Sequence, residues 1–173
     1  MNDSGDNNKN MSQRMIFFGG FLVCAALMAA ALYFQYGMKL EPCPLCVFQR
    51  VFMILTGLIF LAGALHNPGK IGRRIYGGLA TLTAALGAGF AGRHVWIENL
   101  PFDQQPGCGY SLNDMLETFP LLKTLKLVLA GSGGCGQITW SFLGLSMPSW
   151  TLIFFVGFIL LGLALVFTSL GKR

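Results

Sequence analysis

The chain has 173 residues, of which 54% are hydrophobic and only 11% are charged. A composition so apolar and so poor in charge excludes an ordinary soluble domain and is typical of an integral membrane protein. The formal net charge is +5, but no segment has the pattern of a nucleic-acid-binding motif, and we expect no nucleic-acid partner.

Four segments are apolar and long enough to cross a membrane, because an α-helix needs roughly 20 residues to cross about 30 Å of hydrocarbon. The first follows Arg14 and contains Ala29 and Ala31 at the spacing of a signal-peptide cleavage site. It is longer than the roughly 7–15 apolar residues of a signal peptide, so we expect it to be retained as a span. The predicted spans are residues 15–36, 47–65, 75–91 and 150–170.

The third span is rich in small residues, which let neighbouring helix backbones approach closely. We therefore expect a tightly packed helix there; the small residues are Gly77, Gly78, Ala84, Ala85, Gly87, Ala88 and Gly89. The sequence predicts an all-α membrane protein, a four-helix bundle over residues 15–170. A tail, 1–14, precedes it, of which the first ten residues are expected to be disordered, and residues 171–173 follow it. Two loops, about 37–46 and 92–149, lie opposite the termini.

The charged residues divide unevenly between the two membrane faces. With four spans both termini lie on one side, where seven bases stand against two acids, whereas the other side has five of each. Because cytoplasmic loops carry an excess of Lys and Arg, we expect cytoplasmic termini and outward-facing loops. The bases on the side of the termini are Lys9, Arg14, Lys70, Arg73, Arg74, Lys172 and Arg173.

Four of the five cysteines, Cys43, Cys46, Cys108 and Cys135, lie in the two outer loops or at their membrane edges. Disulfides form and persist outside the cytoplasm, so this set indicates disulfide chemistry. Cys24 lies in the middle of the first span, and we expect it to be a small buried hydrophobic residue without a redox role.

The most informative motif is the C-x-x-C of Cys43 and Cys46, at the start of the second span. Proline is tolerated at the first position of a helix but not in its interior, so Pro44 predicts a helix start with Cys46 in the first turn. Free N–H groups and the positive end of the helix dipole stabilise an anion there. Cys46 is therefore the better candidate for a reactive thiolate.

Arg50 follows Cys46 by four residues, so it lies on the same helix face one turn deeper in the membrane. A guanidinium at that depth is costly unless it has a partner or a purpose. Two interpretations stay open. Arg50 extends to the interface, or it donates hydrogen bonds to a buried polar group such as a quinone carbonyl. In the second case the positive charge of Arg50 would stabilise the oxygen of the reduced quinone.

The second outer loop holds Cys108 and Cys135 in glycine-rich surroundings. Such backbone favours accessible cysteines, although a structural disulfide stays an alternative. Residues 120–129 are apolar with Lys123 and Lys126 three positions apart, which predicts a short amphipathic helix on the membrane surface. His94, where the third span ends, either hydrogen-bonds a quinone oxygen or shuttles a proton, or is merely solvated or capping.

A C-x-x-C also occurs in zinc sites and in thioredoxin-like folds. No βαβ pattern surrounds this one, and a closed zinc tetrahedron would have to recruit the single cysteines Cys108 and Cys135. We therefore expect no metal.

Together these residues resemble the DsbB family of bacterial inner-membrane disulfide bond formation proteins over nearly the whole chain. The matching features are the segment Pro42-Cys43-Pro44-Leu45-Cys46 followed by Arg50, the lone Cys108 and Cys135, and the run WSFLGLSMPSW at residues 140–150. Gln49 is a departure, because some family members have an acid before the arginine, and we expect this position not to touch the redox residues.

The resemblance implies a thiol:quinone oxidoreductase of the inner membrane. Cys43 and Cys46 would form the pair facing a quinone, either ubiquinone or menaquinone, with Cys46 in contact with it and Arg50 and His94 at its site. Cys108 and Cys135 would form the pair that reoxidises a periplasmic DsbA-like partner, through a transient mixed disulfide at Cys108. The alternatives are a paralogue with a dedicated partner, a structural tetraspan protein with stapled loops, and a zinc-binding membrane protein.

Overall fold

The computed structural model describes residues 3–39, 43–101 and 141–168, together with positions 117, 120, 123, 126 and 128. Within these residues, four long helices dominate: α1 (Asp3–Leu32), α2 (Pro44–His66), α3 (Lys70–Glu98) and α4 (Met147–Thr168). A π-helical segment, Tyr33–Gly37, extends α1, and a two-stranded antiparallel hairpin, β1 (Ser141–Phe142) and β2 (Leu145–Ser146), precedes α4.

The predicted four-helix membrane bundle is confirmed. Each of the four helices contains a segment long and apolar enough to span a membrane, and many large apolar side chains point outward, as lipid-facing residues do. The helices extend beyond several predicted spans because polar end residues, such as Lys70 and Glu98, are also helical. The prediction that the first ten residues are disordered is wrong for residues 3–10, because α1 already begins at Asp3.

The predicted start of the second helix is confirmed, because α2 begins at Pro44 with Cys43 as its N-cap. The helix ends at His66, where Asn67 adopts a left-handed conformation with φ of 41°, one that Asn tolerates better than most residues. Pro68 and Gly69 complete the short connection into α3. The cysteine pair and the basic start of α3 therefore lie at opposite ends of the α2–α3 hairpin.

The core lies between the helices, with α3 packed against both α2 and α4 and with α1 packed against α2. As the small residues of the third span predicted, α3 and α4 approach closely. A Cβ atom added to Gly77 would lie 2.9 Å from the Gly162 carbonyl oxygen. Gly78 and Gly89, in contrast, face outward with nothing near them. Cys24 is buried against Gly57 of α2, as expected of a small hydrophobic residue.

The close approach of α3 and α4 gives a matched pair of variants. We expect Gly77→Ala to destabilise the protein by about 1–3 kcal/mol, because the new methyl group meets a backbone oxygen that cannot rotate away. Gly78→Ala, one position along the same helix, should leave stability unchanged or slightly raised. Denaturant-induced unfolding of the two detergent-solubilised variants checks this, and equal stabilities would contradict the packing.

The outer loop is described only in part. Of the predicted surface helix at 120–129, positions 123, 126 and 128 are helical, with Lys123 and Lys126 exposed. Val128 is fully buried in a small cluster with Leu45 and Ile97, so its side chain packs against the protein. The expected position on the membrane surface stays a prediction. Cys108 and Cys135 lie outside the described residues.

Candidate functional site

The two cysteines of the C-x-x-C motif lie together at the start of α2. Cys43, as the N-cap, accepts a hydrogen bond at its Sγ atom from the backbone N–H of Cys46, at 3.4 Å. The two Sγ atoms are 3.0 Å apart, and both residues are free thiols of intermediate burial. Since a disulfide bond is about 2.05 Å long, closing the bond requires a shift of only about 1 Å.

His94 reaches both sulfur atoms from the last turns of α3. Its Nε2 atom is 3.7 Å from Cys43 Sγ, and its Nδ1 atom is 3.8 Å from Cys46 Sγ. The side-chain nitrogen of Gln49 lies 3.2 Å from Nδ1. His94 and Gln49 are both almost completely buried, with 3% and 4% exposure, so the imidazole is fixed beside the sulfurs and is not a solvated residue at the membrane surface.

A polar chain continues from His94 toward α4. Glu98, four residues further along α3, has its Oε1 atom 3.9 Å from His94 Nε2, and both side chains are buried. Ser146 donates a hydrogen bond to the other Glu98 oxygen at 2.5 Å and lies 3.0 Å from the Ser149 hydroxyl. The sulfur pair is thereby linked through one imidazole and one carboxylate to the hydroxyl groups at the start of α4.

Arg50 is held by the end of α1. Its Nη1 atom donates a hydrogen bond to the Gln35 side chain, and its Nη2 atom donates one to the Ala31 carbonyl at 3.3 Å. Gln35 belongs to the π-helical segment, a rare backbone form that often occurs at functional sites. The guanidinium therefore has partners inside the protein, and extension to the membrane interface is not what satisfies it.

An apolar cleft of about 300 Å³ lies between α1, α2 and α4, at the small end of the volume range of ligand sites. Its polar residues include Cys46, Gln49 and Arg50, and aromatic residues such as Phe34, Trp150 and Phe154 supply apolar walls. Cys46 therefore has the cleft on one side and His94 on the other. His94 itself is not among the residues that line the cleft.

Comparison with known proteins identifies the family of the chain. The family model of the disulfide bond formation protein DsbB matches residues 13–165. The chain is 50% identical over 146 residues to the disulfide bond formation protein B of Nitrosococcus oceani, covering 84% of this chain and 86% of the relative. The disulfide bond formation protein B of Xanthomonas campestris pv. campestris is 47% identical over 161 residues, covering 92% of this chain and 94% of the relative.

The chain belongs to the DsbB family. It is accordingly a multi-pass membrane protein with a role in disulfide bond formation, which makes it a redox protein. The resemblance drawn from the cysteine and arginine motifs is confirmed at the level of the family, and the four-helix bundle agrees with it.

Within this DsbB-family chain, the structure brings together four predicted site residues: Cys43, Cys46 and His94 in mutual contact, and Arg50 beside Cys46 at the cleft. Sequence reasoning missed several others that complete the site, namely Gln35, Gln49, Glu98, Ser146 and Ser149. Glu98 has a local signal, because its spacing of four residues places it on the helix face of His94. Gln49 has one too, since it lies three residues after Cys46, and its contact with His94 shows that the expectation of no contact with the redox residues is wrong.

The same cluster contains a third possible metal ligand. Ligand atoms of Cys43, Cys46 and His94 all lie within 4.8 Å of one another. The expectation of no metal counted only cysteines as further zinc ligands, and the structure adds His94 to the possible ligands.

Proposed function

We propose that the chain is a thiol:quinone oxidoreductase of the bacterial inner membrane. It takes electrons from the dithiol of a periplasmic DsbA-like thiol oxidase and passes them to a quinone, either ubiquinone or menaquinone. The observation that carries the proposal is the position of Cys46. One side of Cys46 contacts its partner Cys43, and the other lines an apolar cleft that contains Arg50.

The chemistry of the cleft fits a quinone. A quinone has a flat apolar ring with carbonyl oxygens, so it needs an apolar cavity with a small number of hydrogen-bond donors. Phe34, Trp150 and Phe154 supply apolar walls, whereas Arg50 and Gln49 supply donors next to the sulfur. A guanidinium that is already oriented by Gln35 stabilises negative charge on a carbonyl oxygen without having to reorganise.

Thiol–disulfide exchange would carry the electrons from the partner to Cys43 and Cys46. A partner thiolate attacks a Cys108–Cys135 disulfide at Cys108, Cys135 leaves as a thiolate, and the partner's second thiolate then releases the oxidised partner. The resulting dithiol reduces a Cys43–Cys46 disulfide by the same exchange, so two electrons reach Cys43 and Cys46. A quinone held in the cleft beside Cys46 and Arg50 would supply the acceptor for the two electrons and two protons. The imidazole of His94, in contact with both sulfurs, is placed to hydrogen-bond the thiol of Cys46.

The acceptor has to be a strong oxidant. A DsbA-like dithiol has a reduction potential near −120 mV, so transferring its two electrons to a couple near −180 mV would be uphill by about 2.8 kcal/mol. A glutathione-like couple is therefore excluded as the sink.

The proposed orientation has the termini in the cytoplasm and the cysteines in the periplasm. It is supported by the basic start of α3, with Lys70, Arg73 and Arg74, at the end of the α2–α3 hairpin opposite Cys43 and Cys46. The domain bounds follow from the same proposal, with residues 15–170 as the membrane domain.

A turnover assay tests the function. We expect the detergent-solubilised protein, given a reduced thioredoxin-fold partner and a soluble quinone analogue, to convert one quinone to quinol for each partner dithiol oxidised. Parallel counting of thiols, with and without reductant, separates the rival classes. A structural tetraspan protein would have cysteines that resist reduction and would produce no quinol, and a resident zinc site would show stoichiometric metal without disulfides in the isolated protein.

A further inference from the structure

We propose that the reduced form of this site is a Zn²⁺ site, with Cys43, Cys46 and His94 as its three protein ligands and a fourth position open to solvent. Two cysteine sulfurs and one imidazole nitrogen are the donors that Zn²⁺ prefers, and three protein ligands with one open position are a recurrent zinc arrangement. Here the three residues come from two helices, with two of them at the start of α2 and the third near the end of α3.

The spacing of the donors is close to that of a zinc tetrahedron. Bond lengths of about 2.3 Å to sulfur and about 2.0 Å to nitrogen place a sulfur and a nitrogen about 3.5 Å apart, and two sulfurs about 3.8 Å apart. The Nδ1 atom of His94 is 3.8 Å from Cys46 Sγ, and the 3.7 Å contact of Cys43 Sγ is with the other ring nitrogen, Nε2. One ligand atom from each of the three residues lies within 4.8 Å of the other two, so the imidazole has to turn toward Cys43 as the metal binds. The sulfurs, at 3.0 Å, have to separate by about 0.8 Å.

Glu98 lies near the position of the outer carboxylate that zinc-binding histidines usually have, and it has to approach by less than about 1 Å to accept a hydrogen bond. Such a histidine donates its second N–H group to a carboxylate, which fixes the ring and strengthens the ligand. The Oε1 atom of Glu98 lies 3.9 Å from His94 Nε2, and Ser146 holds the other carboxylate oxygen. This leaves Nδ1, on the side of Cys46, as the nitrogen that binds the metal, in place of its contact with Gln49.

Metal binding and oxidation exclude one another at this site. When the two sulfur–metal bonds form, both thiol protons leave to solvent and no electron moves, whereas a disulfide has no thiolate to offer. Zn²⁺ therefore binds the dithiol alone. If the proposed function is correct, the metal also stops turnover by holding the dithiol that would reduce the quinone.

Binding is measured without quinone or partner, on the full chain with Cys24, Cys108 and Cys135 replaced by Ser. We expect the reduced protein to take up one Zn²⁺ per chain in competition with a chromophoric chelator, and the oxidised protein to take up none. Glu98→Gln should weaken binding by about 10–100-fold. His94→Ala should weaken it further, His94→Cys should retain it, and His66→Ala should leave it unchanged.

Two results would overturn the site: no stoichiometric uptake by the reduced protein, or equal affinity in the His94→Ala variant, which would indicate a simple dithiol chelate. Retained binding in His94→Cys separates a lost ligand from a misfolded bundle. Uptake of Zn²⁺ by a protein that never reduces quinone would refute the proposed function and leave the metal site standing. Unchanged turnover in saturating Zn²⁺ would refute inhibition and, with it, the placement of the metal on the reacting sulfurs.

Discussion

Replacing Cys46 by Ser is expected to abolish quinol formation and to leave a single round of partner oxidation. Cys46 is the sulfur at the cleft, and a serine hydroxyl cannot form the disulfide through which electrons would pass. Under the proposed function, a Cys108–Cys135 disulfide would still oxidise one partner dithiol before the reaction stops. Rapid mixing of the variant with excess reduced partner should therefore show a burst of at most one oxidised partner per chain, followed by no further reaction.

Cys108→Ser should differ from Cys46→Ser by losing the burst as well, because it removes the disulfide that the partner is proposed to attack. Cys24→Ala is the matched control, since Cys24 is buried among apolar residues of the core and away from the cleft. We expect it to turn over at the wild-type rate. Sustained quinol formation by either of the other two variants would refute the assigned electron path.

Features encoded within one helix were predictable from the sequence. The proline rule located the start of α2 at Pro44, and the small residues of the third span predicted its close packing, which Gly77 and Gly162 provide. The direction in which each small residue points could not be predicted from the sequence. Gly78 lies in the same apolar run as Gly77 yet faces outward, because rotation of the helix about its axis depends on its neighbours.

The cleft and the polar contacts of the site were not predictable, because they depend on which helices are neighbours. Arg50 contacts Gln35, which is 15 positions earlier, and Glu98 contacts Ser146, which is 48 positions later. No periodic pattern in the sequence indicates which residues form such pairs. His94 was singled out for its type and its place at a helix end, but its contact with both sulfurs depends on how α3 packs against α2.

Replacing Arg50 is expected to slow quinone reduction without affecting exchange with the partner. Arg50 lines the cleft one helical turn from Cys46, where its guanidinium would stabilise charge that develops on the quinone oxygen. Loss of one such preorganised donor costs about 10²–10³-fold in rate in other enzymes, and we expect a loss of that order for Arg50→Met. Steady-state quinone reduction measures the effect, and the burst of partner oxidation should remain intact.

Gln35→Leu separates the charge of Arg50 from its orientation. This variant keeps the guanidinium but removes one of the two groups that hold it, leaving the Ala31 carbonyl. Because the charge remains while its preorganisation weakens, we expect a smaller loss of rate than in Arg50→Met, with most of the change in the quinone concentration needed for half-maximal rate. If Arg50→Met instead reduced quinone as fast as the wild type, Arg50 would be a structural partner of α1 and the cleft would have to bind the quinone through its apolar walls.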